Sequence, residues 1–334
     1  MTKQVVVIGA GPWGANLVRN HHALGSLNGV LDSDTARLSA ITEQYDGALA
    51  RPDLASVLGD PGVDAVVIAT PAATHGGLVD RALDAGKHVF VEKPLCLDIA
   101  EGQALAEKAA ARGLVLMVGH LLLYHPAFLA LSALVRGGAL GGLRYIYSNR
   151  LSLGRIRREE NALWSFAPHD VSMILNLAGR LPEAVSASAG HYLSDGVADT
   201  TLSHLDFGQE LQAHIFVSWL HPYKDQRLVV VGEDAMLVFN DAAAGDDKLL
   251  LYRHTAHWDG ELPVIDKAEA EPVAYEAGEP LRLECEAFLA AVGSGQPPPS
   301  DAEEGLRVLR VLDACQRSIV SGERVALGPE TIDA

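Results

Sequence analysis

The feature that most constrains the fold is a regular alternation of short apolar runs and amphipathic stretches over residues 1–122. A helix between two strands carries the chain back over the sheet, so the strands run parallel and helices cover both faces. We therefore predict an α/β, Rossmann-type domain with a doubly wound parallel sheet over residues 1–122. The apolar runs that predict its strands are 5–8, 29–31, 65–69, 88–91 and 114–118.

The second part of the chain follows a different pattern. Its apolar runs are longer, many alternate in polarity, and turn residues separate most of them, which is typical of antiparallel strands. We predict an α+β domain with a large, mainly antiparallel sheet over residues 123–334. Near its end, Ser300 and Glu303 have the spacing of a capping box at the start of a helix. The predicted strands are 143–151, 184–189, 200–207, 210–217, 227–231 and 235–239.

Charge and hydropathy disfavour two kinds of partner. The 334 residues carry a formal net charge of −17, whereas binding of nucleic acid requires a broad basic surface. Residues 114–135 carry no formal charge, but glycine, histidine and Pro126 interrupt them. We predict a strand, a loop and a helix that begins at Pro126, and no contact with a membrane.

The N-terminus and the cysteines bear on the compartment. Residues 1–4 pass at once into the first strand, which leaves no room for the apolar region of a signal peptide, so we predict a cytoplasmic protein. Cys96, Cys285 and Cys315 are odd in number and widely spaced. They predict buried or half-buried thiols, with neither a disulfide framework nor a metal site.

A glycine run follows the first strand directly. Gly9, Gly11 and Gly14 have the GxGxxG spacing between a β-branched strand and a helical stretch. Glycine permits a tight turn, close approach of the backbone to a pyrophosphate, and close packing of a helix whose N-terminus attracts phosphate. The run, which includes Pro12 and Trp13, predicts a dinucleotide site; the alternative is a plain tight turn.

An acidic residue follows the second strand. Asp32 lies near the offset of about 20 residues at which an acid hydrogen-bonds a ribose hydroxyl. Its carboxylate would repel a 2′-phosphate, and no arginine follows immediately, so we predict NAD rather than NADP as the cofactor. The alternative is an ordinary turn residue within residues 32–34.

Two more segments follow strands at the edge where open α/β sheets bind ligands. Thr70, Pro71 and His75 come after strand 65–69, and they line the cofactor site or form an ordinary cap and turn. Glu92 and Lys93 come after strand 88–91.

Lys93 is the candidate for the chemistry. A lysine that is partly desolvated beside a cationic nicotinamide can have a lowered pKa and can polarise or deprotonate a hydroxyl. Glu92 would bond a ribose hydroxyl or pair with the lysine. The alternative is a surface ion pair that precedes Pro94.

Three segments together resemble the Gfo/Idh/MocA family of nicotinamide-dependent oxidoreductases. They are residues 9–14 (GAGPWG), 69–75 (ATPAATH) and 85–95 (AGKHVFVEKPL), and the Glu-Lys-Pro block is the most specific of them. The resemblance covers almost the whole chain. It implies an N-terminal Rossmann domain, a C-terminal sheet that binds substrate and forms a homodimer or homotetramer, and Lys93 in the active site.

The resemblance also implies a catalytic histidine. Family members commonly carry a D-x-x-x-H pattern, in which the histidine handles the alcohol proton. The matching segment, residues 163–170 (LWSFAPHD), supplies His169 but has Ser165 in place of the aspartate. Asp170 is a differently placed candidate helper. We expect His169 to be the general base and Lys93 to hold the hydroxyl, and these two roles can be exchanged.

Within the family, residues 119–126, 161–170 and 219–222 resemble bacterial nucleotide-sugar dehydrogenases, including UDP-N-acetylglucosamine 3-dehydrogenases. We expect oxidation of a secondary hydroxyl of a sugar, at C3 of a nucleotide sugar. The alternatives are a cyclitol or sugar-phosphate dehydrogenase, a keto-sugar reductase, and a regulator that senses NAD(P) without turnover.

Two sets of residues are candidates to bind that substrate. A basic cluster would hold a phosphate through forked guanidinium contacts, or would be a solvated loop neutralised by Glu159 and Glu160. A polar and aromatic set would contact the sugar. The basic cluster is Arg150, Arg155, Arg157 and Arg158, and the second set is Tyr124, Asn161, Trp164 and His221.

Overall fold

Residues 3–154, 156–158 and 160–328 are described by a computed structural model of the chain. Their contacts define two units. The first unit contains the residues up to Tyr124 together with Gly278–Leu309, and the second contains His125–Ala277 together with the residues from Arg310 onward. The first division lies close to the predicted boundary at residue 122. Gly278–Leu309, however, groups with the first unit, although the sequence pattern assigned it to the second.

The first unit is built on a six-stranded sheet. Its strands are β1 (Val5–Ile8), β2 (Leu27–Leu31), β3 (Leu49–Ala50), β4 (Ala65–Ile68), β5 (His88–Glu92) and β6 (Leu116–Gly119). All neighbouring pairs are parallel, in the order β3-β2-β1-β4-β5-β6. The order reverses between β1 and β4, the switch point at which such sheets bind ligands. The predicted Rossmann sheet is confirmed.

The second unit contains a nine-stranded sheet in the order β16-β13-β12-β11-β7-β10-β9-β8-β17. Only β7 and β10 form a parallel pair among these strands as described, so the mainly antiparallel prediction is confirmed. A separate hairpin joins β14 and β15. The strands are β7 (Leu143–Leu153), β8 (Ala184–Gly190), β9 (Thr200–Asp206), β10 (Gln212–Ser218), β11 (Leu220–Gly232), β12 (Met236–Asn240), β13 (Leu249–Tyr252), β14 (Thr255–Asp259), β15 (Leu262–Asp266), β16 (Glu271–Pro272) and β17 (Val325–Ala326).

Local capping explains where several helices begin. The side chains of Asp34, Asp53 and Asp98 each accept a hydrogen bond from a backbone N–H of the first helical turn. Pro126 begins a helix, as predicted. No helix of the described residues is long and apolar enough to cross a membrane. The helices are α1 (Gly14–Ala23), α2 (Thr35–Gln44), α3 (Leu54–Leu58), α4 (His75–Asp84), α5 (Ile99–Arg112), α6 (Pro126–Arg136), α7 (Ala162–Phe166), α8 (Pro168–Ala178), α9 (Pro280–Ser294) and α10 (Ala302–Ser321).

The start of α10 corrects one prediction. The cap is Asp301 rather than Ser300, because Oδ1 of Asp301 accepts from the backbone N–H of Glu304 at 2.8 Å. The hydroxyl of Ser300 instead lies 2.8 Å from the hydroxyl of Tyr124 in the core of the first unit. The helix therefore begins one residue later than predicted, and Ser300 has a tertiary partner instead of a capping role.

Candidate active site

Five strands of the first unit end in residues suited to ligand binding or catalysis. Gly9 follows β1, Asp32 follows β2, Thr70 comes after β4, Lys93 follows β5 and His120 follows β6. Because the sheet is parallel, these residues lie along one edge of it, the edge at which open α/β sheets bind ligands.

The turn between β1 and α1 requires glycine at two of its three glycine positions. Gly9 has a φ of +92°, and a Cβ atom on it would lie 2.7 Å from the carbonyl oxygen of Ala69. A Cβ on Gly14 would lie 1.9 Å from the carbonyl oxygen of Gly9. A Cβ on Gly11 would meet no heavy atom of the described residues within 4 Å. Gly9 and Gly14 therefore allow packing, while Gly11 leaves the open approach that a pyrophosphate needs.

Asp32 is held firmly at the end of β2. Its Oδ2 accepts from the N–H of Ala10 at 2.6 Å, and its Oδ1 accepts from the N–H of Asp34 at 2.8 Å. Arg37 donates from Nη1 at 3.2 Å to Oδ1 and at 3.1 Å to Oδ2. Burial alone would raise the pKa of Asp32, but these donors outweigh it, and the pKa lies below its usual value. An ionised carboxylate here suits a ribose hydroxyl.

Arg37 is a residue that the sequence analysis missed. It lies in the first turn of α2 and does not follow Asp32 directly in the sequence. The helical turn brings its guanidinium back to the end of β2. The signal was an arginine on the helix that directly follows the acidic residue.

His75 connects two loops of the edge. Its Nδ1 lies 2.7 Å from the carbonyl oxygen of Pro94, and its Nε2 lies 2.9 Å from that of Thr70. The hydroxyls of Thr70 and Thr74 are 2.7 Å apart. His75 is buried, so its ring positions the loops after β4 and β5; Thr70 and Pro71 lie nearer to the surface.

Glu92 connects the lysine segment to the glycine turn. It is only 9% exposed, and it accepts a hydrogen bond from the indole N–H of Trp13. Its carboxyl group lies over Gly119, where a Cβ would be 3.0 Å from Oε2. Burial raises the pKa of Glu92, while Trp13 and the charge of Lys93 act in the opposite direction. Lys93 is half-buried, and its bond to Pro94 is cis.

A buried acid and histidine lie beside this segment. Nδ1 of His120 is 2.5 Å from Oε2 of Glu304, and both side chains are nearly inaccessible to solvent. The sequence analysis did not single out either residue, because the two are far apart along the chain. Tyr124, a predicted sugar contact, is buried in the same unit and bonds Ser300 through its hydroxyl.

In the second unit, the segment around His169 contains a buried ion pair. Asp170, in the first turn of α8, accepts from Nε of Arg150 at 2.7 Å and from the hydroxyl of Ser148 at 2.5 Å. Arg150 and Asp170 are 8% and 1% exposed. The prediction that Arg150 belongs to a phosphate-binding basic cluster was therefore wrong. Arg150 lies on the face of β7 that packs against α8, whereas Arg158 lies beyond the end of β7 and is exposed.

The other predicted substrate residues of this unit have the following partners. Asn161 caps α7 by accepting from the N–H of Trp164 at 3.2 Å. Both residues donate to Oε1 of Gln316, Asn161 at 2.8 Å and Trp164 at 3.3 Å. His221 lies against the ring of Tyr223, with centroids 4.5 Å apart.

Only part of the predicted arginine cluster can be described. Arg157 is half-buried, with its Nε 3.0 Å from Oε1 of Glu160. Arg158 is exposed, and Arg155 lies outside the described residues.

Cys96, Cys285 and Cys315 are free, buried thiols, as predicted. Among the described residues, His, Cys, Asp and Glu do not form a group of three or more that could hold a metal ion.

A parallel sheet of this order, a glycine turn that leaves room for pyrophosphate and an ionised acid after β2 define a dinucleotide-binding protein. A family model described as "Oxidoreductase family, NAD-binding Rossmann fold" matches residues 3–120. A model of the GFO/IDH/MocA C-terminal domain matches residues 128–238. The chain belongs to the Gfo/Idh/MocA family and is an NAD-binding oxidoreductase.

Relatives of known structure or activity support this assignment. The UDP-N-acetylglucosamine 3-dehydrogenase of Acidithiobacillus ferrooxidans is 29% identical over 304 residues, which cover 91% of this chain and 93% of that protein. Its solved structure has a TM-score of 0.83 over 96% of this chain and 98% of that one, at 27% identity. A protein from Magnetospirillum magnetotacticum whose crystal structure is known is 36% identical to this chain. The match covers 94% of this chain and 100% of that one, with a TM-score of 0.82. The NAD(+)-dependent scyllo-inositol 2-dehydrogenase of Bacillus subtilis is 30% identical over 193 residues, 54% of this chain and 56% of that protein.

Proposed function

We propose that this oxidoreductase is a dehydrogenase that oxidises a secondary hydroxyl of a sugar, and that its substrate is a nucleotide sugar oxidised at C3. The observation that carries the substrate class is the similarity to a UDP-N-acetylglucosamine 3-dehydrogenase over nine-tenths of both chains. The similarity to the inositol dehydrogenase covers only about half of each chain.

The chemistry assigned to the chain is binding, orientation and proton handling. NAD, when bound, accepts the hydride from the carbinol carbon. Lys93 holds the hydroxyl oxygen and stabilises its developing negative charge, and His169 accepts the hydroxyl proton. The two roles are interchangeable in this proposal, because Ser165 stands where the family carries its acid. On the cofactor side, Gly9, Gly11, Gly14 and the adjoining Pro12 and Trp13 would bind the pyrophosphate.

The proposed cofactor contacts beyond the glycine turn are Asp32 and Glu92 at ribose hydroxyls and the loop of Thr70, Pro71 and His75. Support comes from their positions at the ends of β2, β5 and β4. The proposed substrate contacts are Tyr124, Arg155, Arg157, Asn161, Trp164 and His221. Of these residues, Tyr124 has the least structural support as a substrate contact, because its hydroxyl already bonds Ser300 in the core.

Turnover with a substrate panel tests the proposal. UDP-sugars, free inositols and sugar phosphates are each mixed with enzyme and NAD or NADP, and absorbance of reduced nicotinamide is followed in both directions. We expect NAD-dependent oxidation of UDP-N-acetylglucosamine and a 3-keto product by NMR. Turnover of inositols alone would favour the second candidate, a cyclitol dehydrogenase. NAD binding without turnover of any substrate would favour a regulator, and reduction of keto-sugars alone would favour a reductase.

A single arginine separates nucleotide sugars from free polyols. If a diphosphate contacts the loop after β7, Arg157→Ala should raise the KM of the nucleotide sugar about tenfold, the effect of losing about 1.4 kcal/mol of binding. Arg253→Ala, which removes an exposed arginine outside the basic cluster, is the control and should leave KM unchanged. Equal KM values for Arg157→Ala and the unaltered enzyme would contradict the phosphate contact.

We also propose that the chain works in the cytoplasm as a homodimer or homotetramer joined through the nine-stranded sheet. The face of this sheet opposite Arg150 carries Tyr145 and Leu202, which are 43% and 48% exposed. On the same face Tyr147 stacks on His214 at 5.3 Å between centroids. Leu202→Lys should convert the assembly to a monomer in light scattering; an unchanged mass would exclude this face.

A further inference from the structure

Glu284 is a fully buried acid in the first unit. It lies on α9 and is 0% exposed. Neither of its carboxyl oxygens accepts a hydrogen bond from a donor among the described residues. An ionised carboxylate without a partner is very costly in the protein interior, whereas a protonated carboxyl is far less so. Burial, followed by the negative charge of Glu92, raises the pKa of Glu284 well above its usual range.

The packing of α9 on β5 explains why Glu284 influences Glu92. Phe288 of α9 lies against Phe90 of β5, with ring centroids 5.7 Å apart. Glu284 is one helical turn before Phe288, so both residues share a face of α9. Glu92 is two positions after Phe90, so both share a face of β5. The same contact that joins the two phenylalanines therefore brings the two acids toward each other.

The surroundings decide which acid keeps the proton. Two carboxyl groups in one poorly solvated site cannot both be ionised at moderate cost. Glu92 has two donors, the indole N–H of Trp13 and the backbone N–H of Lys93 at 3.3 Å, while Glu284 has none among the described residues. Donors favour the charged form, so the negative charge belongs to Glu92 and the proton to Glu284.

Other titratable groups lie near the pair. Lys93 and His120 favour the charged form of Glu92. Cys285 and Tyr124 are kept neutral because burial raises the pKa of each. On α1, which packs against α9, Arg19 pairs with Glu279 instead of Glu284.

We propose that Glu284 is a positioning residue that, as a neutral carboxylic acid, donates its proton in a hydrogen bond to Glu92 and keeps Glu92 ionised. The ionised Glu92 then holds Trp13 beside the glycine turn and Lys93 at the end of β5. Glu284 contacts neither cofactor nor substrate in this arrangement. It acts through Glu92 on both the dinucleotide site and the lysine.

Infrared difference spectroscopy tests the protonation directly. At pH 7 the spectrum of the unaltered protein minus that of Glu284→Gln should contain the C=O stretch of a protonated carboxylic acid. Glu286→Gln on the same helix is the control, because it removes a half-buried carboxylate that is paired with Arg282. The spectrum of Glu286→Gln should retain the band of the protonated acid. Absence of the band from the Glu284→Gln difference would overturn the proposal. This measurement requires neither substrate nor turnover.

NAD affinity as a function of pH tests the positioning role. Glu284→Gln can still donate an N–H to Glu92, whereas Glu284→Met fills a similar volume without a donor. Loss of a hydrogen bond to a charged carboxylate corresponds to about one to two pH units. The acid limb of NAD binding should therefore move up by that amount in Glu284→Met and stay in place in Glu284→Gln. Identical limbs in all three proteins would reduce Glu284 to a packing residue and contradict the proposal.

A measurement of turnover distinguishes failure of this inference from failure of the proposed function. Only the effect of Glu284 on Lys93 rests on the proposed function. With any substrate that the panel identifies, kcat of Glu284→Gln should stay within about twofold of the unaltered enzyme, because the amide retains the neutral donor. Loss of turnover in Glu284→Gln would mean that an ionised Glu284 is required, and would overturn the proposal. If Glu284→Met fails to fold, the infrared band and Glu284→Gln still decide the result.

Discussion

The cofactor edge of the first unit and the buried ion pair next to His169 in the second unit are specified in different ways. At Gly9 and Gly14 the residue type is dictated by backbone atoms within 3 Å of where a Cβ would lie. At Arg150 and Asp170 each residue is dictated by the other, through a forked hydrogen-bonded pair. The first kind of constraint cannot be relieved by a second substitution, whereas the second kind can.

This difference has a functional consequence. A backbone constraint preserves one general cofactor site, and the family model for that region is named for NAD binding. Side-chain networks can be exchanged in groups, which is how one fold can serve different substrates. The relatives of this chain include dehydrogenases of a nucleotide sugar and of an inositol.

Lys93→Met should have the largest effect. Loss of the ammonium group should reduce kcat by about 10²–10⁴-fold, the usual range for an acid–base group. NAD affinity should stay within about twofold of its original value. Stopped-flow turnover and NAD titration measure the two quantities, with the exposed Lys224→Met as the control. Unchanged kcat in Lys93→Met would remove the lysine from the active site.

Arg150→Met should lower the free energy of unfolding by about 3–5 kcal/mol, because it leaves Asp170 buried and unpaired. The double variant Arg150→Met/Asp170→Leu should regain most of that loss, since it removes both charges. Urea unfolding followed by circular dichroism measures both variants. If the double variant is no more stable than the single one, the pair is not an exchangeable unit and the comparison between the two regions fails.

Gly14→Ala and Gly11→Ala should differ in what they damage. The Cβ of Gly14→Ala would overlap the carbonyl of Gly9, so stability should fall by about 1–3 kcal/mol and NAD binding should weaken with it. The Cβ of Gly11→Ala enters open space, so stability should be kept while NAD binding is lost. Thermal unfolding and NAD titration distinguish the two outcomes. Equal losses of stability would show that both glycines serve packing.

Asp32→Ala should have the smallest effect. It should change the ratio of the affinities for NAD and NADP about tenfold in favour of NADP, which corresponds to about 1.4 kcal/mol. Removal of the carboxylate ends the repulsion of a 2′-phosphate and releases Arg37 from its ion pair. Fluorescence titration with both cofactors measures the ratio. Asp32→Ala/Arg37→Ala is the matched control and should lack the gain in NADP affinity. A gain of the same size in both variants would exclude Arg37 as the phosphate partner.

The fold of the first unit could be predicted because its signals are local. The β-branched strands and the glycine turn after β1 each depend on neighbours in the chain, and each lies within a few residues of its prediction. The return of Gly278–Leu309 to the first unit could not be predicted. The apolar face of α9 shows that the helix packs against something, but not against which sheet.

The residues of the candidate site also differ in whether the sequence reveals them. Some are marked by local signals, and others depend on partners that are distant along the chain. Gly11, Asp32 and Lys93 follow strands and could be found by their offsets. Arg150 could not be assigned correctly, because its partner Asp170 lies 20 residues further along the chain. The partners His120 and Glu304 are distant along the chain, and nothing near Glu284 marks it as buried.

The division of the first unit between two stretches of chain has a consequence for synthesis. Because α9 packs on β5 through Phe288 and contributes Glu284, the first unit cannot be complete until Leu309 has left the ribosome. The intervening stretch, which includes the whole nine-stranded sheet apart from β17, must emerge first. A nascent chain that ends near residue 124 would expose Phe90 and the cavity of its missing helix. Recombination at a single crossover near that residue could not transfer a finished cofactor module to another protein.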